Sequence, residues 1–343
     1  MGIITSVPKS NVSAIALSVV VPYFNEQAVL PALHKRLSQV LDSLNEPCEI
    51  IYVDDGSRDD SLALVATFQC ERCRVVSVAL SRNFGKEAAM SAGLEHSRGQ
   101  AVVVIDADLQ DPPELIPEML AKWREGFDVV NMQRSERLGE TWFKKRSAAL
   151  YYWLLNTMVK TPIPENVGDF RLLSREVVDH INQLPERNRY MKGIFAWPGF
   201  KQVTLSFQRD ARYCGETKWN LFKLIGLAVD GITSFSIAPL RIATLLGAAI
   251  ALSAFVYGAV IVGKTLLFGE DVSGYPSMMV VQLALGGVQL LCMGVMGEYL
   301  GRIFIETKQR PLYLVQSVQE TIGLNALGAK TVEAKAVRKE RRA

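Results

Sequence analysis

The stretch AVVVIDADLQDPP, residues 101–113, runs from a strand through an acidic turn into a helix. Residues 101–105 are apolar and rich in valine, which is typical of a strand buried on both faces. Asp106 and Asp108 follow directly, and the proline pair at 112–113 predicts the first turn of a helix. The stretch therefore predicts one strand–turn–helix unit of an α/β fold.

Similar units lie upstream, where apolar β-branched runs alternate with segments of helical periodicity. The predicted strands are 15–21, 49–53, 74–80 and 101–105, with another from Val129, and the predicted helices are 26–44, one from about 59, 86–97 and 112–124. Strands that alternate with helices indicate a mostly parallel sheet covered on both faces. We assign this α/β domain to residues 15–220.

Polar motifs follow the predicted strands. They are Pro22-Tyr23-Phe24-Asn25-Glu26, Asp54-Asp55-Gly56-Ser57, Arg82-Asn83-Phe84-Gly85-Lys86 and Asp106-Ala107-Asp108. Each could be a turn or a helix cap, and for the Asp54 motif that interpretation is at least as good as a binding role. Ligands of such sheets bind at the carboxyl ends of the strands. Motifs at four successive strand ends therefore predict a nucleotide pocket.

Asp106 and Asp108 suit a divalent cation. In an extended segment, residues i and i+2 point the same way, so both carboxylates, and Gln110 after them, would share one side. Mg²⁺ or Mn²⁺ held by such oxygens keeps positions open for phosphate oxygens. The expected role of the ion is to neutralise a diphosphate leaving group.

Basic residues downstream predict a site for a second phosphate, because the forked donors of arginine suit phosphate. The candidates are Arg134, Arg137, Lys144, Lys145, Arg209, Arg212 and Lys218. A solvated basic face is the alternative. The aromatic segment 142–160 and the apolar segment 221–240 suit helices in a membrane interface, although the first could equally pack on the sheet.

Two long uncharged segments, Ile242–Gly263 and Val272–Gly297, predict transmembrane helices. Buried core helices are the alternative, which their length disfavours. Positive charges flank the outer ends of the pair, whereas the short connection carries Glu270 and Asp271. The positive-inside rule then puts both termini in the cytoplasm, and small residues in the spans indicate an oligomer. The remaining divisions are an extension (1–14), an interfacial helix (221–240), the spans (241–305) and a basic cytoplasmic tail (306–343).

The composition narrows the classes of function. A net charge of +3 argues against a nucleic-acid-binding protein, and a mean hydropathy of +0.14 is high for a soluble one. The five cysteines are scattered, which does not predict a disulfide framework. Cys70 and Cys73 form one C-x-x-C without a second pair or a nearby histidine. We interpret them as two thiols in a reducing compartment and not as zinc ligands.

As a set, the four strand-end motifs resemble family 2 glycosyltransferases, which have the GT-A fold. Three downstream motifs, 166–175, 215–219 and 297–302, are similar to those of the polyprenyl-phosphate branch of that family. Within the branch, the bactoprenol glucosyltransferases of O-antigen (lipopolysaccharide) modification are the most similar. The resemblance extends over about residues 18–315. Thr217 stands where many relatives have serine, which keeps the hydroxyl.

The resemblance implies a metal-dependent, inverting transfer of a sugar, expected to be glucose, from a UDP-sugar to undecaprenyl phosphate. The enzyme would lie in the bacterial inner membrane with its catalytic domain in the cytoplasm. The implied roles are metal binding for Asp108 and Gln110, catalysis for Asp106, Asp169 and Arg171, and a nucleotide pocket from Pro22, Tyr23, Glu26, Asp54, Asp55, Asn83, Lys86, Asp106 and Ala107.

Four alternatives remain. The first is the same reaction with another donor, such as an aminoarabinose or mannose. The second is a polysaccharide synthase, which two spans and the absence of a Q-x-x-R-W motif disfavour. The third and fourth are a non-enzymatic scaffold, which the complete motif set disfavours, and a flippase, for which two spans are few.

Overall fold

An eight-stranded mixed sheet carries the predicted motifs. The computed structural model describes residues 15–135, 167–187, 189, 191–208, 233, 236–268 and 274–321. The strands are β1 (Leu17–Tyr23), β2 (Cys48–Asp54), β3 (Cys73–Leu80), β4 (Ala101–Val104), β5 (Val129–Arg134), β6 (Val167–Ser174), β7 (Gln202–Phe207) and β8 (Val315–Thr321). The helices are α1 (Leu30–Ser43), α2 (Ser61–Val65), α3 (Lys86–His96), α4 (Ile116–Arg124, after a 3₁₀ turn), α5 (Arg175–Gln183), α6 (Met191–Ala196), α7 (Ala238–Phe268) and α8 (Tyr275–Thr307).

The order of the strands is β7-β5-β6-β4-β1-β2-β3-β8. Strands β4, β1, β2 and β3 are parallel, which confirms the predicted parallel core. Strand β6 pairs antiparallel with both β4 and β5, and β8 pairs antiparallel with β3 at the sheet edge. The sequence analysis predicted none of β6, β7 and β8.

Helices cover both faces of the sheet, as expected for a parallel core. Helices α1, α2 and α4 pack on one face, and α3, α5 and α6 pack on the other. The small residues of α3 let it lie close to the sheet. A Cβ added at Gly93 would lie 2.2 Å from Cγ1 of Val20 in β1. This close contact fixes α3, whose first residue is Lys86, over the end of the central strands.

The pairing of the cysteines differs from the prediction. Cys48 and Cys73 are the first residues of β2 and β3 and are direct partners in the parallel register. Their sulfur atoms form a disulfide bond. The interpretation of Cys73 as one of two unpaired thiols is therefore wrong. The sequence did not predict this disulfide, because Cys48 and Cys73 become neighbours only through the register of β2 and β3.

Helices α7 and α8 form an antiparallel pair of long apolar helices. By length and hydropathy, Ala238–Lys264 and Ala284–Thr307 can each cross a membrane, and neither is buried in the described part of the chain. Their apolar side chains face outward, and Leu266 is 81% exposed. This confirms the prediction of two helices suited to a bilayer. The predicted interfacial segment 221–240 lies mostly outside the described residues, and segment 142–160 lies outside them altogether.

After the hairpin, the chain returns to the sheet as β8, within the region that the sequence analysis treated as a basic tail. The backbone N–H of Arg187 donates to Oε1 of Glu306 at 2.8 Å, near the end of α8. The N–H of Ser81 donates to the carbonyl of Leu314 at 2.9 Å, at the entry to β8. Strand β8 was not predicted because its sequence, VQSVQET, is polar and its side chains are mostly exposed, which is typical of an edge strand.

Candidate active site

A cavity of about 520 Å³ opens at the carboxyl ends of the parallel strands. It is lined by Pro22, Tyr23, Phe24, Glu26, Asp55, Asn83, Gly85, Lys86, Ala89, Asp106, Ala107 and Asp108. Of the residues predicted for the nucleotide pocket, all except Asp54 line it. Phe24, Gly85 and Ala89 line the cavity but were not predicted from the sequence. The first two lie inside the quoted motifs, and Ala89 lies one helical turn beyond Lys86.

The loop after β2 supports the cavity wall. The Asp54 carboxylate accepts the N–H of Ser57 at 3.0 Å, which makes Asp54 a turn residue outside the cavity lining. The Asp55 carboxylate accepts the N–H of Phe84 at 2.7 Å and that of Gly85 at 3.0 Å. Asp55 therefore holds the loop after β3 in place. Burial raises the pKa of both carboxyls, and the backbone hydrogen bonds oppose that shift.

Gly56 makes this arrangement possible. It has φ +70, and a Cβ added there would lie 2.5 Å from the carbonyl carbon of Arg82. Only glycine combines this backbone conformation with so close an approach. The loops after β2 and β3 are thus packed backbone to backbone beneath the cavity.

Gly56→Ala should therefore cost more than the roughly 1–3 kcal/mol of a strained backbone alone, because the loop after β3 must also move. Gly126→Ala is the matched control, since Gly126 has φ +90 but open space around its Cβ position. Thermal unfolding of both variants in detergent, with an assay of nucleotide binding, separates strain from steric overlap. Equal losses in the two variants would contradict the proposed backbone contact.

The acidic motif lies in a turn. Strand β4 ends at Val104, and Leu109 has φ 58, so residues 106–109 do not continue the strand. The extended alternation assumed in the sequence analysis is therefore wrong. The turn nevertheless exposes Asp106, Ala107 and Asp108 together to the cavity. Gln110 does not line the cavity, and its backbone N–H donates to Oδ1 of Asp108 at 3.2 Å.

Lys86 links two carboxylates at this edge. Its Nζ lies 2.6 Å from Oδ1 of Asp106 and 2.5 Å from Oδ2 of Asp169. The side chain of Lys86 is 46% exposed, whereas those of Asp106 and Asp169 are 20% and 16% exposed. Burial alone would lower the pKa of Lys86, but the two carboxylates outweigh it and raise that pKa. Lys86 is therefore a fixed cation between two acidic groups.

The register of β6 explains how Asp169 reaches this point. Strand β6 runs antiparallel to β4 with Arg171 opposite Val104. Asp169 lies two residues before Arg171 in β6, next to the point where the chain leaves β4 for the acidic turn. Asp169 was predicted to be catalytic from the resemblance, without a reason for its position. The antiparallel pairing of β6 with β4 supplies that reason.

Arg171 lies behind the cavity wall and not in its lining. It is 3% exposed, its guanidinium carbon stands 4.1 Å from the centre of the Phe195 ring, and Nη2 donates to the carbonyl of Gly168 at 2.7 Å. Burial lowers the pKa of its guanidinium to about 10, against the opposing effect of Asp169 and Glu87. Arg171 is thus placed to orient the strand that carries Asp169.

Of the basic residues predicted to bind the acceptor phosphate, the described part of the chain includes Arg134 alone. Arg134 ends β5, and its Nη2 would lie 3.5 Å from a Cβ added at Gly168, so it passes beside the strand of Asp169. The others lie outside the described residues: Arg137, Lys144, Lys145, Arg209, Arg212 and Lys218.

Three features define the class of this protein. They are a parallel sheet core with a cavity at its carboxyl edge, an acidic D-x-D turn in that cavity and a membrane hairpin. Together they are the features of a glycosyltransferase with a GT-A-like fold. Residues 18–181 match the family described as "Glycosyl transferase family 2". Residues 238–303 match a family described as "GtrB C-terminal hairpin". These matches cover the acidic motif and nearly all of both membrane helices.

Relatives match over most of both chains. An uncharacterized glycosyltransferase of Synechocystis is 51% identical over 89% of this chain and 96% of its own. A bactoprenol glucosyl transferase of Shigella phage SfX is 46% identical over 88% of this chain and 99% of its own. A prophage bactoprenol glucosyl transferase homolog of Escherichia coli is 44% identical over 89% and 99%. The chain belongs to glycosyltransferase family 2, and it is an enzyme.

Proposed function

We propose that this glycosyltransferase transfers a glucosyl group from UDP-glucose to undecaprenyl phosphate, with inversion at the anomeric carbon. Relatives named bactoprenol glucosyl transferases support this acceptor and sugar, because they match along nearly their whole length, hairpin included. The observation that carries the proposal is the convergence of Asp106, Asp108, Asp169 and Lys86 at one edge of the sheet.

This arrangement fits a phosphate nucleophile. A polyprenyl phosphate is already an anion near neutral pH, so it needs no strong general base to attack a sugar. It does need to approach a donor that is also negatively charged. Lys86 lies beside the carboxylates and offsets part of their charge. Asp106 lines the cavity, and Asp169 lies just outside the lining, joined to Asp106 through Lys86. In this proposal the two carboxylates orient the donor.

A divalent metal fits the oxygen donors at this edge. The Asp108 carboxylate lines the cavity. Gln110, the second predicted ligand, lies outside the lining and two residues further along the same turn. Carboxylate and amide oxygens are the ligands that Mg²⁺ and Mn²⁺ prefer. When bound, such an ion would neutralise the diphosphate of the departing UDP. The chain's own part is to hold Asp108 in a turn that faces the cavity.

The path of the chain supports a cytoplasmic catalytic domain in the bacterial inner membrane. Helix α7 starts close to α8, since the Tyr299 hydroxyl donates to the carbonyl of Ser236 at 2.5 Å. Helix α8 ends against Arg187 and leads into β8. Both outer ends of the hairpin therefore adjoin the catalytic domain, on the side where the sequence concentrates positive charge.

Acceptor binding and assembly complete the proposal. Arg134, beside the strand of Asp169, would help to hold the lipid phosphate together with the other predicted basic residues. Gly286, Gly287 and Gly294 have open space where a Cβ would stand. Such small residues on a membrane helix support association between copies of the chain.

The proposal is tested with purified protein in detergent, undecaprenyl phosphate and a panel of UDP-sugars. We expect UDP release and a lipid-linked sugar with UDP-glucose. A product from another donor alone would overturn the glucose assignment and leave the reaction class standing. Absence of product and of metal-dependent nucleotide binding, in protein that unfolds cooperatively, would contradict the reaction class itself.

A further inference from the structure

A cluster of three cysteines and one aspartate lies at the amino ends of β2 and β3. Its members are Asp42, Cys48, Cys70 and Cys73, and we call it the thiol cluster. Atoms of Asp42, Cys70 and Cys73 that could bind a metal all lie within 4.8 Å of one another. Cys48 lies outside that group of three and is linked to it through its bond to Cys73, with 4.9 Å between the two Cα atoms. All three cysteines are buried.

The thiol cluster is separate from the active site. Cys48 begins β2, whereas Asp54, beside the cavity, ends it. A strand of this length spans roughly 20 Å. The mechanism proposed above uses none of the four residues. Their grouping therefore calls for an explanation of its own.

A disulfide accounts for only part of the cluster. It occupies Cys48 and Cys73 but leaves Cys70 and Asp42 next to it, with the Cys70 thiol directed at Oδ1 of Asp42 at 3.5 Å. Three thiolates and one carboxylate make up the four ligands of a closed tetrahedral zinc site. In such a site, ligand atoms stand roughly 3.5–4 Å apart. The 3.5 Å between the Cys70 sulfur and Asp42 Oδ1 matches that spacing. Zinc binding by Cys48 requires that its bond to Cys73 be reduced and that its sulfur move closer to Asp42 and Cys70.

Helix α1 supports the loop that carries Cys70. His34, Ser38 and Asp42 follow one another at four-residue spacing, which places them on one face of the helix. The His34 ring stacks on Phe68 with 4.2 Å between centroids. Its two nitrogens lie 2.9 Å from the Tyr52 hydroxyl and 3.0 Å from the Gln69 carbonyl. Cys70 is thus held by contacts on the residues just before it, as expected around metal ligands.

We propose that in the reduced protein the thiol cluster binds one zinc ion through Asp42, Cys48, Cys70 and Cys73. The protein is synthesised with free thiols, which a reducing compartment preserves. Zinc binding displaces the thiol protons and forms one metal–ligand bond from each residue. The ion would connect α1, β2 and β3 at the edge of the sheet opposite the cavity. Its role is structural, because four protein ligands leave no open position.

The test uses the full chain purified in detergent with a phosphine reductant and without chelator. Elemental analysis should give about one zinc per chain in wild type. Cys70→Ser and Asp42→Asn should each lower that content severalfold. Cys292→Ser is the matched control, because Cys292 lies in α8 and should not affect it. Asp108→Ala should also retain zinc, which separates this site from the metal of the active site.

A second measurement does not depend on whether the variants fold. Cobalt(II) added to metal-free wild type should give thiolate charge-transfer absorption and the visible bands of tetrahedral cobalt. Zinc should protect three thiols from alkylation, mapped by mass spectrometry. Two outcomes overturn the proposal. One is a Cys48–Cys73 disulfide that persists in reductant with no zinc bound, and the other is a zinc content that Cys70→Ser leaves unchanged.

Discussion

Asp108→Ala is expected to lower kcat/KM by about 10²–10³-fold, the size of loss that follows removal of one group stabilising charge in a transition state. Asp108 lines the cavity within the turn that presents the acidic motif. Without its carboxylate, the metal that would neutralise the departing diphosphate is poorly held. The measurement is UDP release with undecaprenyl phosphate and UDP-glucose at saturating Mg²⁺ and at saturating Mn²⁺.

The control for this variant is Glu118→Gln, which removes the same charge from an exposed position on α4. It should leave kcat/KM unchanged. Chelation of wild type should reproduce the loss caused by Asp108→Ala, and chelation of the variant should add little, because both act on one interaction. If the losses of kcat/KM from chelation and from Asp108→Ala multiply, then Asp108 contributes to activity independently of the metal.

Lys86→Met is expected to lower kcat/KM by about 10²-fold, mainly through weaker donor binding. Lys86 lies between Asp106 and Asp169, and its removal leaves two neighbouring carboxylates without their cation at the edge where the donor diphosphate would enter. Like charges about 4 Å apart repel by about 4 kcal/mol at the effective dielectric constant of a protein surface. Lys86→Arg keeps the positive charge and should recover part of the activity.

The measurement is the dissociation constant for the UDP-sugar together with KM and kcat. Lys35→Met is the matched control, because Lys35 is exposed on α1, away from the cavity. Donor binding in Lys86→Met that equals or exceeds that of wild type would contradict this account. It would mean that Lys86 occupies the donor's place and must leave before the nucleotide binds.

Most of the N-terminal fold could be predicted from the sequence. Buried parallel strands are nearly continuous apolar runs, and the turn residues after them are local signals. The strand and helix bounds therefore fell within a few residues of those observed. The two long apolar helices could also be predicted, because the length of an uninterrupted apolar segment by itself indicates a membrane-spanning helix. The edge strand β8 gave no such signal, since its side chains are mostly polar and exposed.

The candidate site could be predicted from the sequence less completely than the N-terminal fold. The motifs located the pocket, because parallel strands end at one edge. They did not indicate that Asp55 holds the loop of Phe84 and Gly85, nor that Arg171 is buried on Phe195. The same pattern can be a turn, a cap or a ligand. Packing between distant segments decides among them.

The sequence by itself determined the class of fold, the edge of the sheet where the cavity lies and the membrane hairpin, because each depends on neighbouring residues. Only the tertiary structure linked Asp169 to Asp106 through Lys86, returned the chain to the sheet as β8 and grouped Asp42 with Cys70 and Cys73. These features depend on strand order and register. Both are set by the burial of whole strand faces, which no single segment encodes.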